Sequence, residues 1–166
     1  VSSDLLWMAQ RAHVRDLILH HERPSVVVTH AAALQMRWFP AASFLQASFA
    51  LCEGDTLDRS IFIDRLLACG YQRSSAAEDV GVFAVRGGLI DVFSPSNTHP
   101  IRIDFFGDDV ASLRWFDVES QQTIGRAESI RFYPIREVVF STESMQCAQR
   151  NIQMLAQRED ILIPSR

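Results

Sequence analysis

After Asp79 the period of the chain changes to two, and this change most limits what it can fold into. Phe83 and Val85 alternate with Ala84 and Arg86. Gly87-Gly88 intervenes, and Ile90 and Val92 then alternate with Leu89 and Asp91. A period of two belongs to a strand with one buried face. Two such runs divided by Gly-Gly form a β-hairpin with a primed turn, the competing reading being a bulge within one longer strand. Beyond the loop Ser94-Pro95-Ser96-Asn97 the pattern repeats: Ile101, Ile103 and Phe105, a turn at Gly107-Asp108-Asp109, then Ala111, Leu113 and Trp115. A further β segment is expected from Ile124 to Tyr133, ending at Pro134.

Helical spacing dominates on either side. Residues 4 to 22 repeat apolar side chains at helical intervals and stop before Pro24, because the residue before a proline avoids the helical region. Val26-Val27-Val28-Thr29 is an unalternating apolar run, as expected of a strand buried on both faces. Short helical stretches follow at Ala31 to Met36 and Phe44 to Leu51. Thr56 or Asp58 can cap a helix carrying Ile61, Ile63, Leu66 and Leu67 to about Cys69, with Gly70 as its stop. Ser141 or Thr142 can cap a last helix through Met154, with Glu143 in its first turn. The expected fold class is α+β: antiparallel hairpins and a helix at 54–134, flanked by α/β pieces at 1–53 and 135–166. The opening piece reads as the tail of a larger domain.

Composition narrows the chemistry. The 166 residues hold 16 basic side chains, all of them Arg, against 20 acids. Without Lys there is no phosphate-loop lysine, Schiff base or lysine general base. The net charge of -4 falls wholly within 54–134, which makes a DNA-binding module the weaker alternative. Cys52, Cys69 and Cys147 are scattered and form neither a disulfide framework nor a metal set; their apolar surroundings suggest buried, inert thiols. No apolar run reaches membrane-spanning length and no leader opens the chain, so a soluble, cytoplasmic protein is expected. His13 and His20, with Asp16, share a helix face that reads as solvated, since further metal ligands do not converge there. Asp104, Asp108 and Asp109 read as turn chemistry rather than a cation site. No catalytic residue, metal ligand or cofactor is expected.

Strand parity singles out one surface. If Ile101, Ile103 and Phe105 face inward, Arg102, Asp104 and Phe106 face outward, with Arg86 on the corresponding face of the first hairpin. An arginine and aromatic face without catalytic groups suits a protein-binding patch. Parity leaves open the alternative that Phe106 folds over the sheet edge or is covered by the flanks.

Three ordered strings carry a resemblance: Gly54-Asp55-Thr56-Leu57-Asp58-Arg59, Phe83 to Phe93, and Ile101 to Asp108. Together they resemble the UvrB-homology region of bacterial transcription-repair coupling factors. Phe116-Asp117-Val118-Glu119-Ser120-Gln121 followed by Thr123 fits that family better than UvrB, whose corresponding fragment is the alternative. In UvrB an arginine stands two residues before the Val-Arg-Gly arginine; Ala84 stands there here.

The resemblance implies that 1–53 is the end of a degenerate, RecA-like UvrB domain 1a. Residues 54–134 would be an inserted domain 2 that binds UvrA, and 135–166 the return into the first domain. It implies that Arg86, Arg102 and Phe106 contact UvrA, with Asp104 and Arg73 as further contacts. Recruitment of UvrA to stalled transcription for nucleotide excision repair is the implied function. ATP and magnesium, RNA polymerase and double-stranded DNA would belong to other regions of the full-length family, so this chain is expected to hydrolyse nothing. As exposed arginines, Arg86 and Arg102 are expected to be replaceable without loss of fold.

Overall fold

The computed structural model of the chain describes residues 3–20, 26–35, 38, 40–136 and 142–158. The alternating region forms the expected hairpins. Strand β3 (Val82–Arg86) pairs antiparallel with β4 (Leu89–Val92), and β5 (Ile101–Phe106) pairs antiparallel with β6 (Asp109–Phe116). Gly87 has φ +60° and Gly88 does not have a positive φ, the pattern of a type II′ turn. A Cβ at Gly88 would lie 2.9 Å from the Phe105 carbonyl oxygen. Gly88 is therefore needed for close backbone approach as much as for the turn.

These strands belong to a six-stranded sheet in the order β2-β3-β4-β5-β6-β7, with β2 at Gln72–Ser74 and β7 at Thr123–Ala127. The sheet is α+β in setting but not wholly antiparallel, since the short β2 runs parallel to β3. The polar residues of β2 carry no alternation, so the sequence reading saw only loop there. Alternation on β6 also departs from expectation. The register steps from Asp104↔Ser112 to Phe105↔Val110, which leaves Ala111 as an extra residue. This bulge reverses the parity, so Val110 is buried and Ala111 is exposed.

The expected single segment 124–133 is two strands in different sheets. β7 closes the large sheet, whereas β8 (Ser129–Phe132) pairs with β1 (Phe49–Cys52) in a second, two-stranded sheet. β1 corrects the helix expected over 44–51: α3 (Ala41–Ala47) ends when the amide and hydroxyl of Ser48 both bond the Phe44 carbonyl. Helix α4 (Arg59–Ala68) starts as expected at Asp58, whose carboxylate accepts from the amides of Ser60 and Ile61. Its buried members are Phe62 and Leu66, one turn apart, while Ile61 and Leu67 are about half exposed.

Phe62 ties the two sheets together. Its ring lies 5.8 Å from Phe105 of the large sheet, and 6.0 and 5.5 Å from Phe49 and Phe132 of the small one. A fully buried Phe contributes about 1.5–3 kcal/mol. This aromatic cluster, together with the backbone bonds from Gly54 to Val110 and from Val110 to Asp55, joins the two sheets in one core.

Helices α1 (Ser3–His20) and α2 (Ala31–Gln35) are where the sequence places them. The α1 face expected to be solvated is instead a docking face. His13 Nδ1 and the Tyr133 hydroxyl are hydrogen-bonded at 3.1 Å, Asp16 is buried, and Arg15 is packed over Trp38 and Phe44. Val26–Thr29 overturns the expectation of a buried strand: among the described residues it pairs with no strand, and Val26 and Val28 are 92% and 91% exposed. An apolar run specifies burial only if neighbouring strands are present to receive it. Helix α5 spans Thr142–Arg158. Ser141 and Pro24, read above as cap and breaker, lie outside the described residues.

Candidate partner-binding face

The outer face of the large sheet is built by register. Ala84, Asp91, Arg102, Arg114 and Arg126 stand opposite one another on β3 to β7, and Arg86, Leu89, Asp104 and Ser112 form the next row. The bulge residue lies on β6, so β5 keeps its alternation and Phe106 shares this face with Arg102 and Asp104. The inner residues Ile101, Ile103 and Phe105 are buried, as parity requires.

Phe106 is 82% exposed at the hairpin tip, which answers the question parity left open. Asp108 and Asp109 form the adjoining turn and serve backbone and hairpin geometry. The Leu57 amide donates to the Asp108 carbonyl, and Thr56 Oγ1 donates to Asp109 Oδ1 at 2.7 Å. An aromatic ring this exposed on an ordered, bulge-twisted tip is a ready interface anchor.

The arginines differ from one another. Arg86, at the end of β3, is exposed and makes one weak bond, from its Nη2 to the Ser75 carbonyl at 3.3 Å. Arg102 is not the exposed side chain expected. Its Nε and Nη2 grip both carboxylate oxygens of Asp91 at 2.7 and 2.8 Å, and Nη2 also donates to Gln121 Oε1 at 3.0 Å. The guanidinium lies 4.4 Å from the Phe116 ring centroid. Asp91 is 3% exposed, so this is a nearly buried, bidentate pair. The hydrogen bond to Asp91, and then its charge, hold the Arg102 guanidinium above the ordinary arginine value against the opposing effect of burial.

Asp104 pairs with Arg114 at 3.2 Å, both half open to solvent. Arg73 is on β2, exposed, but the parallel register pairs it with Phe83, a core-face residue. It therefore belongs to the opposite parity and is not brought to the face of Arg86 and Phe106. The sequence reading missed Asp91, Gln121, Arg114 and Arg126. Asp91 and Arg114 carried a usable signal, because both lie on the polar parity of strands already identified. Gln121 could not be found that way, since it enters from a loop in which it has φ +58°.

Among the described residues no group of His, Cys, Asp or Glu is placed to hold a metal. Cys69 is buried, with its thiol pushed up to about 12 by burial, whereas Cys52 and Cys147 are exposed, contrary to the buried thiols expected. No helix among the described residues is long and apolar enough to cross a membrane.

The chain is similar to known proteins. The profile of the UvrB interaction domain matches residues 49–138, from the first residue of β1 to just beyond β8. A transcription-repair-coupling factor of Myxococcus xanthus is 37% identical over 135 residues, covering 81% of this chain and 11% of that protein. The same-named protein of Bacillus subtilis is 29% identical over 144 residues, 87% of this chain and 12% of its own. UvrABC system protein B of Caldicellulosiruptor bescii is 30% identical over 142 residues, 85% of this chain and 21% of its own. The chain thus spans only a small part of the relatives it matches. On the match over more than half its length, and on the hairpins that carry the matching strings, the chain belongs to the UvrB interaction domain family of DNA-repair proteins.

Proposed function

We propose that the chain is the UvrA-recruiting region of a bacterial transcription-repair coupling factor, with UvrA landing on the outer face of the large sheet. The observation that carries this reading is Phe106, 82% exposed on the same face as Arg86. An aromatic anchor flanked by arginine fits a partner offering an apolar pocket and acidic groups. Arg86 and Phe106 are the direct contacts; Arg102, held by Asp91, shapes the face and presents only its outer edge. Asp104 contributes through its pair with Arg114. Arg73, on the other parity, is a contact only for a partner that wraps the β2 edge.

In this reading the chain is a binding element and hydrolyses nothing. ATP and magnesium, RNA polymerase and duplex DNA are handled by other regions of the full-length protein, and the work is done in the cytoplasm at stalled transcription. A matching fragment of UvrB would present the same face; Ala84, in place of the second arginine, favours the coupling factor.

The test is a binding titration of the chain against purified UvrA. Phe106→Ala is expected to remove detectable binding while changing stability by less than about 0.5 kcal/mol, because the side chain buries almost nothing at home. Full affinity in a folded Phe106→Ala chain would contradict the site.

A further inference from the structure

Three arginines stand directly opposite one another on adjacent strands: Arg102 on β5, Arg114 on β6 and Arg126 on β7. Like charges in directly opposed positions repel, so such a row needs counter-charges. Two are present. Asp91 takes Arg102 and Asp104 takes Arg114. Arg126 is exposed, and its guanidinium makes no hydrogen bond or ion pair among the described residues. Glu128 is two residues away, yet no ion pair joins them. β7 is the last strand of the sheet, so no further strand of this sheet covers Arg126.

The position is at odds with the charge of its surroundings. Residues 54–134 hold twelve acids and eight arginines, but three of those arginines occupy this one row. A cation with no protein counter-charge in an acidic module, at the end of an arginine row, is open to an anionic group from outside.

We propose that Arg126 extends the partner-binding face across β7 and takes a carboxylate from an acidic protein surface. The proposal rests on the reading of this face as the site for UvrA and enlarges it. From Phe106 to Arg126 the face runs about 13 Å along the strands and about 10 Å across them. That footprint suits a protein surface that seats the Phe106 ring at one corner and a carboxylate at the other. Nucleic acid fits less well, because residues 54–134 are net acidic and Asp104 stands on the same face beside Arg114.

The experiment measures association and equilibrium binding of purified UvrA with the 166-residue chain, with Arg126→Glu, with Arg126→Gln and with Arg86→Ala. Melting curves confirm that each variant is folded. Arg126→Glu is expected to weaken binding about tenfold, mainly through a slower on-rate, and Arg126→Gln about threefold. Both differences should shrink as salt rises. Wild-type on-rate and affinity in both Arg126 variants, with Arg86→Ala defective, would overturn the proposal and leave the UvrA reading standing. Failure of the unmodified chain to bind UvrA would overturn that reading and this inference with it. Binding of a short DNA duplex in place of UvrA, lost in Arg126→Glu, would assign the row to nucleic acid and overturn it as well.

Discussion

Arg102 shows how one residue's role changes once its neighbours are known. Parity places it on the outer face, and it is there, but the residue directly opposite it on β4 is Asp91. Cross-strand partners of opposite charge and fork geometry find each other, and here the pair is roofed by Phe116 and Gln121. Removing one member leaves the other charged and poorly solvated. Asp91→Ala is therefore expected to destabilise the fold by about 3 kcal/mol, the lower end of what breaking a buried pair costs, because the outer edge of Arg102 is wet. Denaturant unfolding would measure it, and a change within error would show that the pair is merely tolerated. Arg102→Glu, which places a second carboxylate beside Asp91, is expected to unfold the face, so Arg86 and Phe106 are the cleaner probes of binding. The face itself was legible in the sequence through parity. The locked state of Arg102 was not, because it depends on the register between β4 and β5, which alternation alone does not determine.

Element-scale features were legible where a local signal was unambiguous. Asp58 before an apolar helix, glycine at both hairpin turns and strict alternation on β5 all led to the structure observed. Errors arose where one residue more or less changes the parity, as at Ala111 on β6, or where an apolar run had no partner, as at Val26–Val28. Phe62 was overlooked beside Ile61 and Ile63, yet it holds the two sheets together. Gly88→Ala is expected to cost about 1–3 kcal/mol, since the new methyl would meet the Phe105 carbonyl oxygen at 2.9 Å and shift the two hairpins apart. Thermal melts would show it; an unchanged midpoint would mean that the turn has slack. The caps make stability depend on pH. The hydrogen bond with the Ser60 side chain, and then the Ile61 and Ser60 amides, hold the Asp58 carboxyl below its usual value. A carboxyl depressed on folding stabilises above its unfolded pKa, and that contribution is lost as pH falls through the folded value. Melting temperature should accordingly fall on acidification below the ordinary carboxylate range, and Asp58→Asn should flatten part of that fall.

For the whole molecule, the segments divide by how much they hold on to. Residues 49–136 interlock through α4, the six-stranded sheet and the β1–β8 pair. α1 docks onto the same core through His13 and Tyr133, while Leu6, Trp7, Ile18, Val26 and Val28 remain exposed. The α+β class could be read from the switch of period at the module's edge. The split of the β region into two sheets could not, because it depends on β1 returning across some eighty residues to pair with β8. What this architecture offers a partner is one rigid outer face carrying Arg86, Phe106 and Arg126, with its opposite face sealed in the core. Amide hydrogen exchange of the 166-residue chain with and without UvrA tests that claim most directly. Slowed exchange at the β3–β4 turn, the β5–β6 tip around Phe106 and along β7, with α1 and α5 unchanged, is the result predicted. Slowing confined to α1, α2 or α5, with the β5–β6 tip unaffected, would contradict it.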